Sequence, residues 1–229
     1  MLAEALAAGL RPEAVYLTEA ARASLPAPLE AVSFLVAERA MARLSGLETP
    51  PGILAVFPLR VEPLEAILAD GGPGIVLAGV ADPGNAGSLL RSAEIFGFAG
   101  AVFLADSVEP HNPKVVRASM GAIFRLKVAT CKAAELATAA ARAGYTVVAA
   151  ARGGEQLPGF RFPERCLIAI GNERHGVAAY LPQIERAVAI PQPGGGESLN
   201  AAVAGAIIFY AFSQQFGAKI FDPQTRPNP

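Results

Sequence analysis

The chain of 229 residues is apolar and weakly charged, with 52% hydrophobic residues, 17% charged residues and a net charge of −1. This composition excludes an intrinsically disordered protein and predicts a folded chain of one or two domains. The near-zero charge also excludes a strongly basic nucleic-acid binder, so a polyanionic partner would have to be bound by a local basic patch.

The first part of the chain alternates short helix-like and strand-like segments, such as "AEALAAGL", "AVYLT" and "GILAVFPL". This alternation predicts a small α/β domain over residues 1–60. Pro63 and the cluster from Gly71 to Gly74 then interrupt the periodic pattern, which predicts a linker over residues 61–74.

Residues 75–217 alternate apolar strands, among them "IVLAGV", "AVFLA", "TVVAA" and "CLIAIG", with helices. Continuous apolar strands between helices are typical of a parallel sheet that is covered on both faces. The sequence therefore predicts an α/β fold with a mostly parallel sheet and helices on both faces. The polar, proline-rich residues 218–229 are expected to form a flexible tail.

Neither a targeting segment nor a membrane span is evident. The first residues lack the basic start and the cleavage pattern of a signal peptide, and the longest apolar run, Leu199 to Phe212, is too short to cross a bilayer. Cys131 and Cys166 form no disulfide framework, which suits a reducing compartment. We expect a soluble, cytoplasmic protein that makes no contact with a membrane.

Several familiar catalytic motifs are missing from the sequence. No GxGxxG follows a strand and no GxxxxGK[ST] occurs, so the usual phosphate-binding loops are absent. The segment "RASMG" around Ser119 lacks the first glycine of a nucleophile elbow. His111 and His175 have no further ligand at metal-binding spacing, so we expect no metal site.

Three glycine-containing loops follow apolar strands. They read "ADPGNAG" after "IVLAGV", "GNERHG" after "LIAI", and "PQPGGGESLN" after "VAI". Ligands of parallel α/β sheets bind beyond the carboxyl ends of the strands, and glycine lets the backbone approach a ligand closely. The sequence therefore predicts a ligand site built from these three loops.

Motifs in the three loops occur in one order and at characteristic spacing. They read N-x-G-x-x-x-R, G-N-E-x-x-G, and I-P followed by S-L-N at the start of a helix. Their residues are Asn85, Gly87, Arg91; Gly171, Asn172, Glu173, Gly176; and Ile190, Pro191, Ser198, Leu199, Asn200. With these motifs the chain resembles the SpoU/TrmH family of RNA ribose 2′-O-methyltransferases, which belongs to the SPOUT superfamily.

The resemblance covers about residues 75–216 and includes "NPKVVRASMGAIFRLKV" between the motifs. Residues 1–60 resemble a shortened form of the small, ribosomal-protein-like domain that binds the RNA substrate in many members. The resemblance implies a C-terminal trefoil knot that shapes the cofactor pocket, a feature that general topology rules would not predict. It also implies a homodimer formed through the knotted domain.

The implied activity is methylation of a ribose 2′-hydroxyl in RNA with S-adenosyl-L-methionine as cofactor. The expected substrate is ribosomal RNA, and transfer RNA is the second choice. A catalytically silent RNA-binding or ribosome-assembly module of the same fold is one rival; the intact motif residues argue against it. A nucleotide-cofactor oxidoreductase is another rival, and the missing GxGxxG weighs against it.

The resemblance assigns roles residue by residue. The implied catalytic residues are Arg91, Asn85, Glu173, Ser198 and Asn200. The implied cofactor-binding residues are Ala150, Ala151, Gly171, Asn172, Gly176, Ile190, Pro191 and Leu199. The basic residues expected to contact RNA are Arg91, Lys114, Arg117, Arg152 and Arg174.

Arg91 is expected to be the catalytic arginine. A guanidinium keeps its proton at ordinary pH, so a simple base role is disfavoured, whereas clamping an RNA phosphate and orienting the 2′-oxygen is consistent with its chemistry. The family proposal has this arginine act with an RNA phosphate to deprotonate the hydroxyl. The alternative is a solvated charge on a helix surface.

Structural alternatives exist for the other motif residues as well. Asn85 is a candidate helix cap, Ser198 is a natural N-cap for the last helix, and Glu173 could be a surface charge. The glycines could be turn residues only, and the basic residues other than Arg91 could be scattered solvated charges. The last helix is apolar almost all round, which predicts burial or an interface.

Overall fold

The computed structural model describes residues 1–182, 184–195 and 198–220, with backbone alone for residues 218–220. Contacts divide the chain into two compact units, with the boundary between Leu59 and Arg60. No helix within the described ranges is long and apolar enough to span a membrane.

The first unit is a small α/β unit with a three-stranded sheet. Its elements are α1 (Leu2–Ala7), β1 (Ala14–Leu17), β2 (Ser33–Leu35), α2 (Glu38–Ser45) and β3 (Ile53–Val56), with 3-10 turns at Glu19–Ser24 and Ala27–Val32. The central strand β1 pairs in parallel with β2 and antiparallel with β3. Val15 and Leu17 of β1 are buried together with Met41 of α2, which gives this unit its own small core.

The second unit contains a six-stranded sheet. Its strands are β4 (Gly74–Ala78), β5 (Gly100–Leu104), β6 (Lys127–Cys131), β7 (Thr146–Gln156), β8 (Cys166–Gly171) and β9 (Arg186–Ala189). Its helices are α3 (Leu64–Ala69), α4 (Pro83–Ile95), α5 (Pro113–Ala118), α6 (Ala122–Arg125), α7 (Ala133–Arg142) and α8 (Ala201–Ile220), with a 3-10 turn at Leu157–Gly159.

All pairings in this sheet are parallel, and the strand order is β6-β5-β4-β8-β7-β9. Every residue of β4 and β5 is buried, because helices cover both faces. The prediction of an α/β fold with a mostly parallel sheet is confirmed. The carboxyl ends of four adjacent strands, β4, β8, β7 and β9, lie side by side at one edge, and that edge positions the three motif loops.

Separate apolar layers cover the two faces of the sheet. On one face Phe98 packs between Phe209 and Phe212 of α8, with ring centroids 4.8 and 5.2 Å apart. On the other face Leu136 of α7 is buried in the second layer. The continuous apolar strands thus contribute side chains to both layers.

The expected linker over residues 61–74 is corrected by the structure. Residues 64–69 form α3, and its Leu64, Ile67 and Leu68 are buried in the second apolar layer. Three apolar residues at helical spacing fix this segment to the sheet, although prolines and glycines flank it. The predicted tail, residues 218–229, begins within α8, and residues 221–229 lie outside the described part of the chain.

Gly87 lets helices α4 and α5 approach each other closely. A Cβ atom at this position would lie 2.8 Å from the carbonyl carbon of Ala118 and 2.8 Å from the amide nitrogen of Ser119. Contacts this short are not tolerated, so the first motif requires glycine for packing. The close approach fixes the direction in which α4 leaves its loop.

We expect Gly87→Ala to lower the free energy of unfolding by about 1–3 kcal/mol, because the added methyl group overpacks the contact between α4 and α5. Helix propensity alone favours alanine by up to about 1 kcal/mol, so the sign of the change is informative. Gly217 in α8 has nothing within 4 Å of an added Cβ, and Gly217→Ala is the matched control. Urea denaturation measures both variants; a Gly87→Ala protein as stable as wild type would contradict the close packing.

Candidate active site

The loop after β4 begins at Gly79, whose backbone is held from three sides. Its amide donates to Ser107 Oγ at 3.0 Å, and its carbonyl accepts from Asn172 Nδ2 at 3.1 Å. Its φ is +72°, and a Cβ atom here would lie 2.6 Å from Cε1 of the Tyr180 ring and closer still to Cζ and Cε2. Only glycine satisfies both conditions, so the start of the first motif loop is fixed by its neighbours.

Asp82 caps helix α4. Its carboxylate accepts a hydrogen bond from the backbone N–H of Asn85 at 2.7 Å, and Pro83 follows at the first helical position. This is a favourable N-terminus for a helix. The alternative role of Asn85 as the cap is therefore wrong, and its side chain is available to the site.

The second motif loop is ordered by Asn172. Its side-chain oxygen accepts from the amides of Arg174 at 2.9 Å and His175 at 3.3 Å. The loop closes where Asn172 and Gly176 form a β-bridge. A Cβ atom at Gly171 would lie 2.7 Å from the Gly176 carbonyl oxygen, so this glycine permits the closure. Asn172 thus fixes both its own loop and the Gly79 turn.

A hydrogen-bond network joins the three motif loops through Asn85. Asn85 Nδ2 donates to Glu173 Oε1, and Asn200 Nδ2 donates to Asn85 Oδ1 at 2.9 Å. Asn85 is half-buried, whereas Glu173 and Asn200 are exposed. These contacts leave one N–H and one lone pair of the Asn85 amide available to a ligand. The structure therefore brings together three of the five residues predicted to be catalytic.

Asn200, and not Ser198, caps helix α8. The side-chain oxygen of Asn200 accepts from the amides of Ala202 at 2.9 Å and Val203 at 3.2 Å. Ser198 is exposed two residues earlier. The prediction of Ser198 as the N-cap is wrong because the helix begins at Ala201, which places Asn200 at the capping position.

The predicted cofactor residues lie at the ends of three adjacent strands. Ala150 and Ala151 lie where β7 leaves its pairing with Val188, Gly171 ends β8, and Ile190 directly follows β9. Ala150 and Ile190 are half-buried, as is Leu199 just before α8, whereas Ala151 and Pro191 are exposed. Small and apolar surface therefore lines the edge at which the network lies.

Arg91 is exposed on α4 and does not join the Asn85 network. Within the described ranges no hydrogen bond or ion pair is formed by its guanidinium, which is therefore free to bind an external anion. It lies four residues before Ile95, so the two share a helix face. Ile95 is an exposed apolar residue.

The other basic residues predicted to contact RNA are also exposed. Lys114 and Arg117 lie on α5, which packs against α4, and the side chain of Asn112 caps this helix at 2.9 Å from the Lys114 amide. Arg152 lies in β7, two residues beyond Ala150, and Arg174 lies in the second motif loop. Arg152 and Arg174 thus lie where β7 and β8 reach the carboxyl edge of the sheet, and Lys114 and Arg117 lie on the helix that packs against α4.

Other places in the described chain do not form a competing site. A cleft of about 780 Å³ lies between α3 and α7, near the amino end of β8, and no motif residue lines it. Burial raises the pKa of the Cys166 thiol to about 12 and that of Cys131 to about 11, with Glu135 adding to the second shift. Both thiols are therefore protonated and unreactive at neutral pH. Among the described residues no group of three or more potential ligands could hold a metal ion.

Three residues that hold the first motif loop were missed by sequence reasoning. Asp82 directly precedes a proline and a helix, and this capping signal was available. Ser107 and Tyr180 contact Gly79 from 28 and about a hundred residues away, and no local pattern marks them. Their roles arise only from the tertiary fold.

Asn200→Ala is expected to destabilise the protein by about 0.5–2 kcal/mol, because two amides at the start of α8 lose their cap. Ser198→Ala is the matched control and should change stability by no more than about 0.5 kcal/mol. Thermal unfolding of the two variants measures the difference. A larger loss from Ser198→Ala than from Asn200→Ala would show that the cap is misassigned.

Similar proteins share both sequence and fold with this chain. It is 31% identical over 194 residues to an uncharacterised tRNA/rRNA methyltransferase of Synechocystis, covering 81% of this chain and 69% of the relative. It is 30% identical over 177 residues to the 23S rRNA (uridine(2479)-2′-O)-methyltransferase of Streptomyces viridochromogenes, covering 73% of this chain and 62% of the relative. The chain thus spans less than two thirds of the second relative.

Among solved structures, the SpoU methyltransferase AviRb of Streptomyces viridochromogenes in complex with AdoMet superposes with a TM-score of 0.80 at 25% identity. The match covers 95% of this chain and 88% of that one. Residues 73–210 match the SpoU rRNA Methylase family, and this region contains the three motif loops and all six strands of the parallel sheet. The chain belongs to the SpoU rRNA methylase family.

Proposed function

We propose that this protein transfers a methyl group from S-adenosylmethionine to a ribose 2′-hydroxyl of RNA, with ribosomal RNA as the first candidate and transfer RNA as the second. The observation that carries the proposal is the Asn85–Glu173–Asn200 network, which joins the three motif loops at one edge of the sheet. The 23S rRNA 2′-O-methyltransferase among the relatives supports ribosomal RNA. The cytoplasm is the proposed place of action.

The residues at the carboxyl edge fit S-adenosylmethionine. Gly153 in the bulged part of β7 and Gly194 in the third motif loop have nothing within 4 Å of an added Cβ, so both positions border open space. Half-buried Ile190 and Leu199 offer apolar surface for the adenine ring, and the backbone of Gly171 and its neighbours offers polar groups. When bound, the cofactor supplies an electrophilic methyl group.

Arg91 is the proposed residue that positions the RNA. Its exposed, always protonated guanidinium can bind a phosphate and the 2′-oxygen at once through parallel N–H donors. Holding the oxygen in line with the methyl group lowers the barrier, because the entropy of bringing the reactants together is lost at binding and not in the reaction step. The guanidinium also stabilises negative charge that develops on the oxygen as its proton leaves to the RNA phosphate.

Asn85 is the proposed residue that shapes the substrate site. Glu173 and Asn200 hold its amide in one orientation, so its remaining N–H and lone pair have fixed directions. Because the side-chain amide is already fixed, it can distinguish hydrogen-bond donors from acceptors on the nucleotide, and no side-chain entropy is lost when the nucleotide binds. Ser198 is exposed beside this network and is proposed to contact the ligand directly.

A homodimer through α8 and α4 is part of the proposal. Val203, Ile207 and Tyr210 form an exposed apolar stripe on α8, and Ile95 of α4 is 58% exposed. The ring of Tyr210 lies 5.8 Å from that of Phe96, so the stripe continues onto the end of α4. Exposed apolar surface of this kind marks an interface. Because Arg91 shares the face of Ile95, it would lie at this interface and beside the partner.

The trefoil knot is the proposed topology of the C-terminal part. The chain passes from β8 to β9 on the far side of β7, and α8 then returns to pack on β8 and α4. The last residues of β7, Glu155 and Gln156, pair with β9, and Phe162 in the connection to β8 is hydrogen-bonded to Gln215 of α8. A segment that contacts both β9 and α8 supports a chain end that is threaded through a loop.

The proposed RNA contacts are the first unit and four exposed basic residues: Lys114, Arg117, Arg152 and Arg174.

Arg91→Ala should lower single-turnover methylation of ribosomal RNA from cells that lack the protein by about 10²-fold or more, because a positioned catalytic group is lost. Arg91→Lys should fail nearly as badly, because an ammonium cannot reproduce the planar fork. Arg142→Ala, which removes an exposed arginine of α7, is the control. If Arg91→Ala methylates RNA at the wild-type rate, the catalytic role of Arg91 is wrong. If the wild-type protein methylates neither ribosomal nor transfer RNA, the result favours a catalytically silent RNA-binding module.

Ile207→Glu is expected to dissociate the proposed dimer, because a charge in the centre of the apolar stripe cannot be buried unpaired. Sedimentation velocity at micromolar concentration measures the mass. Val56→Glu, which changes an exposed apolar residue of the first unit, is the control and should leave the mass unchanged. A wild-type protein that sediments as a monomer would contradict the proposal.

A further inference from the structure

The end of β7 and the connection to β8 that follows it contain a stretch, Glu155–Phe162, that we name the strap. Strand β7 pairs with β9 at Ala150 opposite Val188 and pairs again at Glu155, opposite the same Val188. Residues 151–154 therefore loop out between the two pairings. This bulge begins at the proposed cofactor residue Ala151, and its shape depends on where the strap holds its far end.

Arg186 at the start of β9 holds the strap at three points. Its Nη1 donates to the Arg161 carbonyl at 2.7 Å, and its Cζ lies 4.3 Å from the centre of the Phe160 ring. Its Nη2 lies 3.4 Å from Glu155 Oε2. A planar guanidinium can stack on a ring and donate from its edge at the same time.

Gln215 of α8 holds the end of the strap. Its Oε1 accepts from the Phe162 amide at 3.1 Å, and its Nε2 donates to the Phe162 carbonyl at 2.9 Å. The side-chain amide thus takes the place of a neighbouring strand and satisfies both backbone groups of one residue. The Phe162 ring is buried, 5.4 Å from that of Phe212.

The bulge is exposed to solvent at its first three positions, residues 151–153. Gly153 has no atom within 4 Å of an added Cβ, and Ala151 and Arg152 are exposed. At its far end, Gly154 is pressed against β9, since a Cβ there would lie 2.6 Å from the Ala187 carbonyl oxygen. The pairing of Ala150 at one end and of Glu155 at the other therefore constrains the conformation of the bulge.

We infer that Arg186 and Gln215 are positioning residues for cofactor binding: by fixing the strap, they preorder the bulge 151–154 beside β9. The inference rests on the proposed function, since it assumes that the bulge borders the cofactor. A loop that is ordered before binding loses less entropy when the ligand arrives. Releasing the strap therefore weakens cofactor binding without removing any group that touches the cofactor.

Gln215→Met tests this inference, because methionine keeps the length of the side chain and removes both hydrogen bonds. Titration calorimetry with S-adenosylhomocysteine should show a dissociation constant about tenfold higher than that of wild type, from the loss of two neutral hydrogen bonds. Gln214→Met makes the same substitution at the neighbouring exposed glutamine of α8; it is the matched control and should bind as wild type. With ribosomal RNA, Gln215→Met should raise the KM for S-adenosylmethionine and leave kcat unchanged.

A second control separates positioning from general destabilisation. Tyr145→Phe removes a hydrogen bond of 2.9 Å to the Gly72 carbonyl at the opposite edge of the sheet, and it should lower the Tm without changing cofactor affinity. Equal weakening of cofactor binding in Tyr145→Phe would overturn the inference. If Gln215→Met does not fold, Arg186→Lys carries the same test, since lysine cannot stack on Phe160 and reach Arg161 together.

The outcomes for inference and function are distinct. If the wild-type protein binds S-adenosylhomocysteine and Gln215→Met binds it equally well, the inference is overturned and the proposed function is not. Wild type that does not bind S-adenosylhomocysteine overturns the proposed function and the inference with it. A tenfold loss confined to the strap variants, with faster hydrogen exchange at residues 151–154, supports the inference.

Discussion

The side-chain amide of Asn85 is bonded at both ends, and the arrangement of the three motif loops depends on it. Its nitrogen donates to Glu173 and its oxygen accepts from Asn200. Because the two ends of an amide are not interchangeable, the network has one satisfied orientation. Each bond contributes only about 1 kcal/mol net, so its main effect is geometric: three loops distant in the sequence are held in register.

Close backbone packing makes this network possible. Gly79 accommodates the Tyr180 ring, Gly87 admits α5, and Gly171 lets its loop close on Gly176. A Cβ atom at any of these positions would push apart the elements on which Asn85 and Glu173 are carried. The glycines are therefore required by packing within the fold, and this requirement explains their places in the motifs independently of any ligand.

The arginine of the first motif lies apart from the network. Arg91 is exposed on the α4 face that also presents Ile95, and the apolar stripe of α8 continues onto the end of that helix. A cation with no partner among the described residues, next to uncovered apolar surface, is consistent with the proposed dimer and RNA phosphate. A second copy of the chain and an RNA phosphate would then complete the site. In that site the hydrogen-bond network would hold Asn85, and Arg91 would lie at the dimer interface.

The sequence by itself determined the parallel α/β architecture, since continuous apolar strands between helices can be buried only in a sheet covered on both faces. It also determined the three motif loops, because strand ends with glycine and asparagine are visible locally. Only the tertiary structure decided that Leu64, Ile67 and Leu68 form a core helix instead of a linker, and that Asp82 and Asn200 are the caps. It likewise decided that Asn85, Glu173 and Asn200 meet while Arg91 does not. These contacts depend on strand order and helix packing, which bring together residues up to 115 positions apart and leave no periodic trace in the chain.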